Sequence, residues 1–214
     1  MKSKLILLAL SFVSALTSCN QEEKKLPILG SREPVELMVQ GKMVIDTIYQ
    51  TIPDFSFMDQ DSVVIDNRKM ADKIYVADFF FTSCPSICPI MKKQMLRVYK
   101  EFKEEDQLAF LSHTIDPKHD SIPVLKKFAQ KLDVDGSKWH FLYGDKETVY
   151  KLARNGYMNI AEEDKNAPGG IMHSGYFILV DKKGQIRGAY NGTDQKEVNK
   201  LIDDIKILLK EYQE

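Results

Sequence analysis

The stretch from Ile74 to Pro89 constrains this chain more than any other. Ile74-Tyr75-Val76-Ala77-Asp78-Phe79-Phe80-Phe81 is its most hydrophobic strand-like run, and it breaks at once into Thr82-Ser83-Cys84-Pro85-Ser86-Ile87-Cys88-Pro89. Aromatic and β-branched residues in such a run predict a strand. Pro89 fits poorly inside a helix, where its ring clashes with the carbonyl four residues back, but is welcome at the first helical position. The expectation is a strand-to-helix turn with Cys88 as the N-cap and Pro89 opening the helix. Amides and dipole at a helix start stabilise anions, which predicts a lowered pKa for Cys88 and a thiolate ready to attack a disulfide or bind a metal.

The flanking pattern extends this turn into a fold. Further strands are predicted at Met43 to Tyr49, Ser62 to Ile65, Leu108 to Ile115, Trp139 to Tyr143, Gly175 to Val180 and Gln185 to Tyr190. Helical spacing joins Met91, Met95, Val98 and Phe102, then Ile122, Leu125, Ala129 and Leu132, then Val149, Leu152 and Ala153 before Gly156. Asp194 with Glu197 forms a capping box for a last helix with buried face Val198, Leu201, Ile205, Leu208 and Tyr212. Two strands, three strand-helix units, a hairpin through Asp181-Lys182-Lys183-Gly184 and a closing helix imply an α/β fold, a mixed sheet with helices on both faces. Ala161 to Gly170 is expected to be a loop leading into His173.

The composition permits one ordinary globular core. Of 214 residues 43% are hydrophobic and 29% charged, which excludes wholesale disorder and a polytopic membrane protein. Thirty basic against thirty-one acidic residues give a net charge of −1, so nucleic acid is not an expected partner. At the amino terminus Lys2 and Lys4 precede an apolar run from Leu5 to Leu16, shorter than the roughly 20 residues that span a bilayer. The run ends in Leu16-Thr17-Ser18-Cys19, which resembles a bacterial lipobox. The expected organisation is a signal peptide over 1–18, lipidation at Cys19, a flexible tether over 19–34 and one folded domain over 35–214. The chain is therefore expected in the cell envelope, held to a membrane by its lipid and facing the periplasm.

With Cys19 assigned to the anchor, Cys84 and Cys88 remain. Three intervening residues in a tight turn can bring both sulfurs within bonding distance of each other or of one ion, and a structural disulfide closing so short a loop would gain little. Asp78, six residues before Cys84, is an acid in an apolar strand. It is either a proton relay for the thiols, as in thioredoxin-like redox proteins, or an acid at a sheet edge or paired with a lysine. Of the four histidines, His113, His119 and His140 are expected to be structural, whereas His173 is expected beside the cysteine turn. Two thiolates and one imidazole suit copper better than structural zinc, which usually demands four ligands. Met91, Met95 and Met172 are expected to be core filler.

Ile52-Pro53-Asp54-Phe55, the run Phe79 to Pro89, Ile115-Asp116-Pro117 with Asp120, Trp139 with Gly144, and His173 before a strand together resemble the Sco/SenC family of copper proteins. The resemblance implies a thioredoxin-like fold, a mixed central sheet flanked by helices with extra amino-terminal strands and a hairpin. It also implies copper held by Cys84, Cys88 and His173. The implied partners are the copper-centre subunit of cytochrome c oxidase, whose binuclear centre is metallated and whose disulfide is reduced, and a thiol reductant protein. The competing expectation is a thiol-disulfide oxidoreductase or peroxidase acting without copper, with Cys84 as nucleophile, Cys88 as resolver and His173 incidental. A third is a lipoprotein with a plain disulfide and an interaction surface.

Overall fold

A computed structural model describes residues 25–213. The expected signal segment and Cys19 lie outside the described residues. A hairpin of β1 (Arg32–Val39) and β2 (Lys42–Tyr49) is followed by a short pair, β3 (Ser56–Met58) and β4 (Val64–Asp66), and by the single turn α1 (Asn67–Met70). Then come β5 (Ile74–Phe80), α2 (Cys88–Glu101), β6 (Leu108–Thr114), α3 (Ile122–Leu132), β7 (Trp139–Leu142) and α4 (Lys146–Asn155). A second short pair, β8 (Ala161–Glu163) and β9 (Ile171–His173), precedes β10 (Tyr176–Val180), β11 (Ile186–Asn191) and α5 (Gln195–Glu211).

The central sheet has the order β11-β10-β5-β6-β7. β5, β6 and β7 run parallel, joined by the helical crossovers α2 and α3, and β10 runs antiparallel to both β5 and β11. β5 and β6 are buried along their whole length, which is why their residues read as apolar runs and not as alternation. On one face Phe80 packs against Phe128 of α3, and Asp78 meets Lys92 of α2. On the other, Phe79 stacks on His113 and against Tyr157, with Phe55 and Phe57 completing an aromatic box around the imidazole. Helices therefore cover both faces of a mixed sheet, as the alternation predicted.

Three local expectations need correction, and one strand was not expected. From Leu26 onward the segment expected as tether is docked on the fold. Leu26 is buried, its amide donates to Glu211 Oε1 at 2.7 Å, and Leu29 bridges to Ile186. The buried Arg187 guanidinium binds the carbonyls of Leu26 and Pro27, at 2.6 and 3.2 Å, and these anchor the chain to the fold from residue 26 onward. Cys88 is the first residue of α2 and Ile87 is its N-cap, so the helix starts one residue early and Pro89 falls in its second position. Residues 161–170 are not all loop, since β8 pairs with β9 and sets Ala161 opposite His173. Ser56 to Met58 forms a strand too short for its period to register in the sequence.

Candidate metal centre

Three separate pieces of chain meet at the carboxyl end of β5. The first is the cysteine turn. Asp120, fully buried, fixes its base by accepting the Thr82 amide at 3.0 Å, the Thr82 hydroxyl, and the Thr114 hydroxyl at 2.6 Å. The turn then closes through the Cys84 amide, which donates to the Phe81 carbonyl at 3.2 Å. The second piece is the start of α2, which delivers Cys88. The third is the β8–β9 pair, which delivers His173 from the far side. Pro168 to Gly170 forms a single 3-10 turn in which Gly169 has φ +81°, and a Cβ there would lie 2.9 Å from the Phe81 ring. Only glycine lets this loop lie down on Phe81, and Phe81 in turn meets the His173 ring edge-on at 5.9 Å.

The result is a compact donor set. His173 Nε2 lies 3.3 Å from Cys88 Sγ and 4.0 Å from Cys84 Sγ, and all three donor atoms fall within 4.8 Å of one another. An ion with bonds of about 2.0–2.3 Å to nitrogen and sulfur spans donors about 3.5–4 Å apart in a trigonal arrangement, so small adjustments would seat one. Both cysteines are free thiols and both are buried. Among the described residues no side chain or backbone group holds His173 Nδ1 by a hydrogen bond. An apolar cleft of about 400 Å³, lined by Phe81, Cys84, Cys88, Leu96, Phe128 and Leu132, opens beside the sulfurs.

The electrostatics separate the two thiols. Burial acts to raise Cys84, but hydrogen bonds from the Ser86 amide and from Cys88 outweigh it and hold the thiol below its ordinary value. The Ser86 hydroxyl, 3.6 Å from Cys84 Sγ, acts in the same direction. Burial pushes Cys88 far above the ordinary thiol value. The expectation of a helix-start thiolate at Cys88 is thus overturned, because desolvation of its sulfur exceeds what the helix end returns, and the low-pKa thiol is Cys84. Burial also keeps His173 below the usual imidazole range, which leaves the ring neutral with a lone pair to donate.

The remaining candidates sort cleanly. Asp78 is fully buried, accepts from Lys92 Nζ at 2.7 Å and also accepts the Ser112 hydroxyl, so it has the lysine partner that was one of the two expected outcomes. Lys92 lies one turn beyond Cys88 on α2 and also lines the apolar cleft. Its partnership with Asp78 is not readable by position, because Lys92-Lys93 between Met91 and Met95 look like a solvent-facing pair of charges. His140 pairs with Asp59 at 2.9 Å, and the exposed His119 pairs with Asp116 at 2.6 Å. His113 has both ring nitrogens without a partner inside the aromatic box. Met91 and Met95 are fully buried in the core, whereas Met172 is exposed beside His173. Asp120 lies just ahead of α3, and its contacts make it the clamp of the cysteine turn.

The SCO1/SenC family profile matches residues 46–210. The structure of a SCO1/SenC family lipoprotein from Bacillus anthracis is 31% identical, with a TM-score of 0.68 over 74% of this chain and 95% of that one. The solved structure of BsSco, described as having a disulfide switch and belonging to the Sco family of cytochrome c oxidase assembly proteins, is 29% identical. Its TM-score is 0.64 over 73% of this chain and 91% of that one. A relative from Stutzerimonas stutzeri, whose name points to copper binding, is 25% identical over 155 residues, 71% of this chain and 74% of its own. The fold is the thioredoxin-like arrangement of these proteins, and the chain belongs to the SCO1/SenC family.

Proposed function

We propose that this chain is a copper chaperone of the cell envelope, lipid-anchored at Cys19, that carries one copper ion as cargo on Cys84, Cys88 and His173. Its client is the copper-centre subunit of cytochrome c oxidase. The observation that carries this reading is the convergence of two thiols and a neutral imidazole, from three chain segments, within 4.8 Å. Soft thiolates select Cu(I), and a three-donor set leaves the ion open to attack by an incoming ligand, as transfer requires. Burial of the sulfurs limits exchange with small solutes, while the adjoining apolar cleft admits a protein partner's side chain. Membership of the family and the description of BsSco as a cytochrome c oxidase assembly protein support the client.

The same pair can act as a dithiol, and the split between the two thiols favours this second role. Cys84 as thiolate attacks one sulfur of a client disulfide, and the other client sulfur leaves as thiolate and takes up a proton. Cys88, deprotonated as it attacks, then forms a bond to Cys84 Sγ and displaces the client's remaining sulfur, which leaves as thiolate and takes up a proton. Two electrons pass to the client, Cys84 and Cys88 end as a disulfide, and a thiol reductant protein must restore them. Asp78, paired with Lys92 beneath the turn, is proposed as the group that takes the Cys88 proton. Exchange with a model disulfide by the metal-free chain, compared with Asp78→Asn, tests this. The expected outcome is a slower second step with an unchanged first attack by Cys84, and equal second steps would remove Asp78 from the chemistry.

A further inference from the structure

The β1–β2 hairpin carries the largest group of exposed apolar side chains in the described residues, and no part of the site uses it. Leu37, Met38, Val39, Met43, Val44, Ile45 and Ile48 are all exposed, Met38 at 69% and Ile45 at 72%. A soluble surface rarely displays so many contiguous apolar side chains without a partner. Their distribution is directional. Gln40 and Gly41 both have positive φ, at 51° and 77°, and make a tight turn, and the apolar residues crowd next to it. Arg32, Glu33, Glu36 and Asp46 lie toward the root.

The register shows that both faces of the tip are apolar. Leu37 sits opposite Val44 on one face, and Met38 opposite Met43 on the other, where Ile45 adjoins them. A hairpin that packs against a protein surface or a second copy needs one apolar face and leaves the other polar. A tip that is apolar all round suits an isotropic apolar medium. Three residues of β1 beyond Glu36 and four of β2 between Asp46 and the turn extend about 10–13 Å, enough to reach the 5–10 Å depth to which interfacial elements enter a bilayer. Lys42, next to the turn, has a stem long enough for its charge to return to the headgroups.

The position of the hairpin agrees. Six residues separate Cys19 from the docked Leu26, and the seven steps between them reach at most about 25 Å. The hairpin begins at Arg32, just after the Leu29 bridge to Ile186. Ile186 pairs with Val180 and Val180 with Tyr75, at the start of β5, whereas Cys84 follows the end of that strand. We infer that the β1–β2 tip inserts into the bilayer interface as a second membrane attachment beside the lipid at Cys19, so that the root of the domain faces the membrane and the Cys84-Cys88-His173 site lies at the opposite pole.

The inference rests on the anchor reading, and the test separates the two. The full chain carrying Met43→Trp is reconstituted into phosphatidylcholine vesicles with and without bromine on the acyl chains, and intact mass reports whether Cys19 is acylated. Trp139, the single native tryptophan, is fully buried and gives the baseline. The Trp introduced at 43 is expected to shift to shorter wavelength and lose roughly half its emission to brominated chains, while Thr47→Trp near the root is unquenched. Quenching at 43 without an acyl mass would retain the hairpin inference and remove the anchor. An acylated chain whose Trp at 43 is unquenched overturns the inference, and protein-concentration-dependent protection of that Trp would assign the tip to a second copy instead.

Discussion

At the residue scale the site is a contrast between two sulfurs four positions apart. Cys84 receives hydrogen bonds from Ser86 and Cys88, whereas Cys88 faces mainly desolvation. In the reduced, metal-free chain iodoacetamide is therefore expected to modify Cys84 first, with a rate that rises with pH and levels off below the pH of a free thiol. Peptide mapping after brief alkylation reads this directly, and equal labelling or a Cys88 preference would refute the assignment. A second residue-scale consequence concerns His113, sealed in its aromatic box with a pKa pushed down to about 3 by burial. Between that value and the ordinary imidazole value of about 6.5 the unfolded chain binds a proton that the folded chain refuses. The stability this neutral residue permits is complete above pH 6.5 and is lost as pH falls, with a slope approaching about 1.4 kcal/mol per pH unit. Denaturant midpoints from pH 7 to 4 should fall more steeply for the native chain than for His113→Phe, and parallel profiles would show that acid acts elsewhere.

At the scale of elements, two supports hold the donors. The Asp78–Lys92 pair ties β5 to α2 directly beneath the cysteine turn. Asp78→Ala leaves a buried ammonium without its partner and should destabilise the fold by about 3–5 kcal/mol, whereas the double change Asp78→Leu with Lys92→Met should recover most of it. Chemical denaturation of both variants checks this, and equal losses would mean that the pair is not the unit of stability. The loop that delivers His173 depends on Gly169, so Gly169→Ala should leave the melting temperature nearly unchanged while lowering Cu(I) affinity at least about tenfold. Affinity equal to the native chain would show that His173 is placed independently of this loop. These supports mark where sequence reading stopped. The strands β5 and β6, the helices and the cysteine turn were legible because apolar period and proline position are local signals. Lys92, the clamp by Asp120 and the short β8–β9 pair depend on residues distant in the chain, and the high pKa of Cys88 depends on burial that no spacing encodes.

At the scale of the whole molecule, the parallel strands β5 and β6 gather the reactive residues at their carboxyl ends, with β10 bringing the His173 loop back to the same edge. The amino-terminal docking through Leu26, Arg187 and Glu211 closes the other end. The donor set and the amino-terminal docking therefore lie at opposite ends of β5. The three-residue site itself is tested most directly by anaerobic Cu(I) titration of the reduced chain against a competing chelator, alongside His173→Ala. The expected result is one tightly held ion per chain, weakened at least about a hundredfold by the substitution with the fold intact. Binding that is weak, or indifferent to His173, would contradict the copper site and leave Cys84 and Cys88 as a redox pair acting without metal.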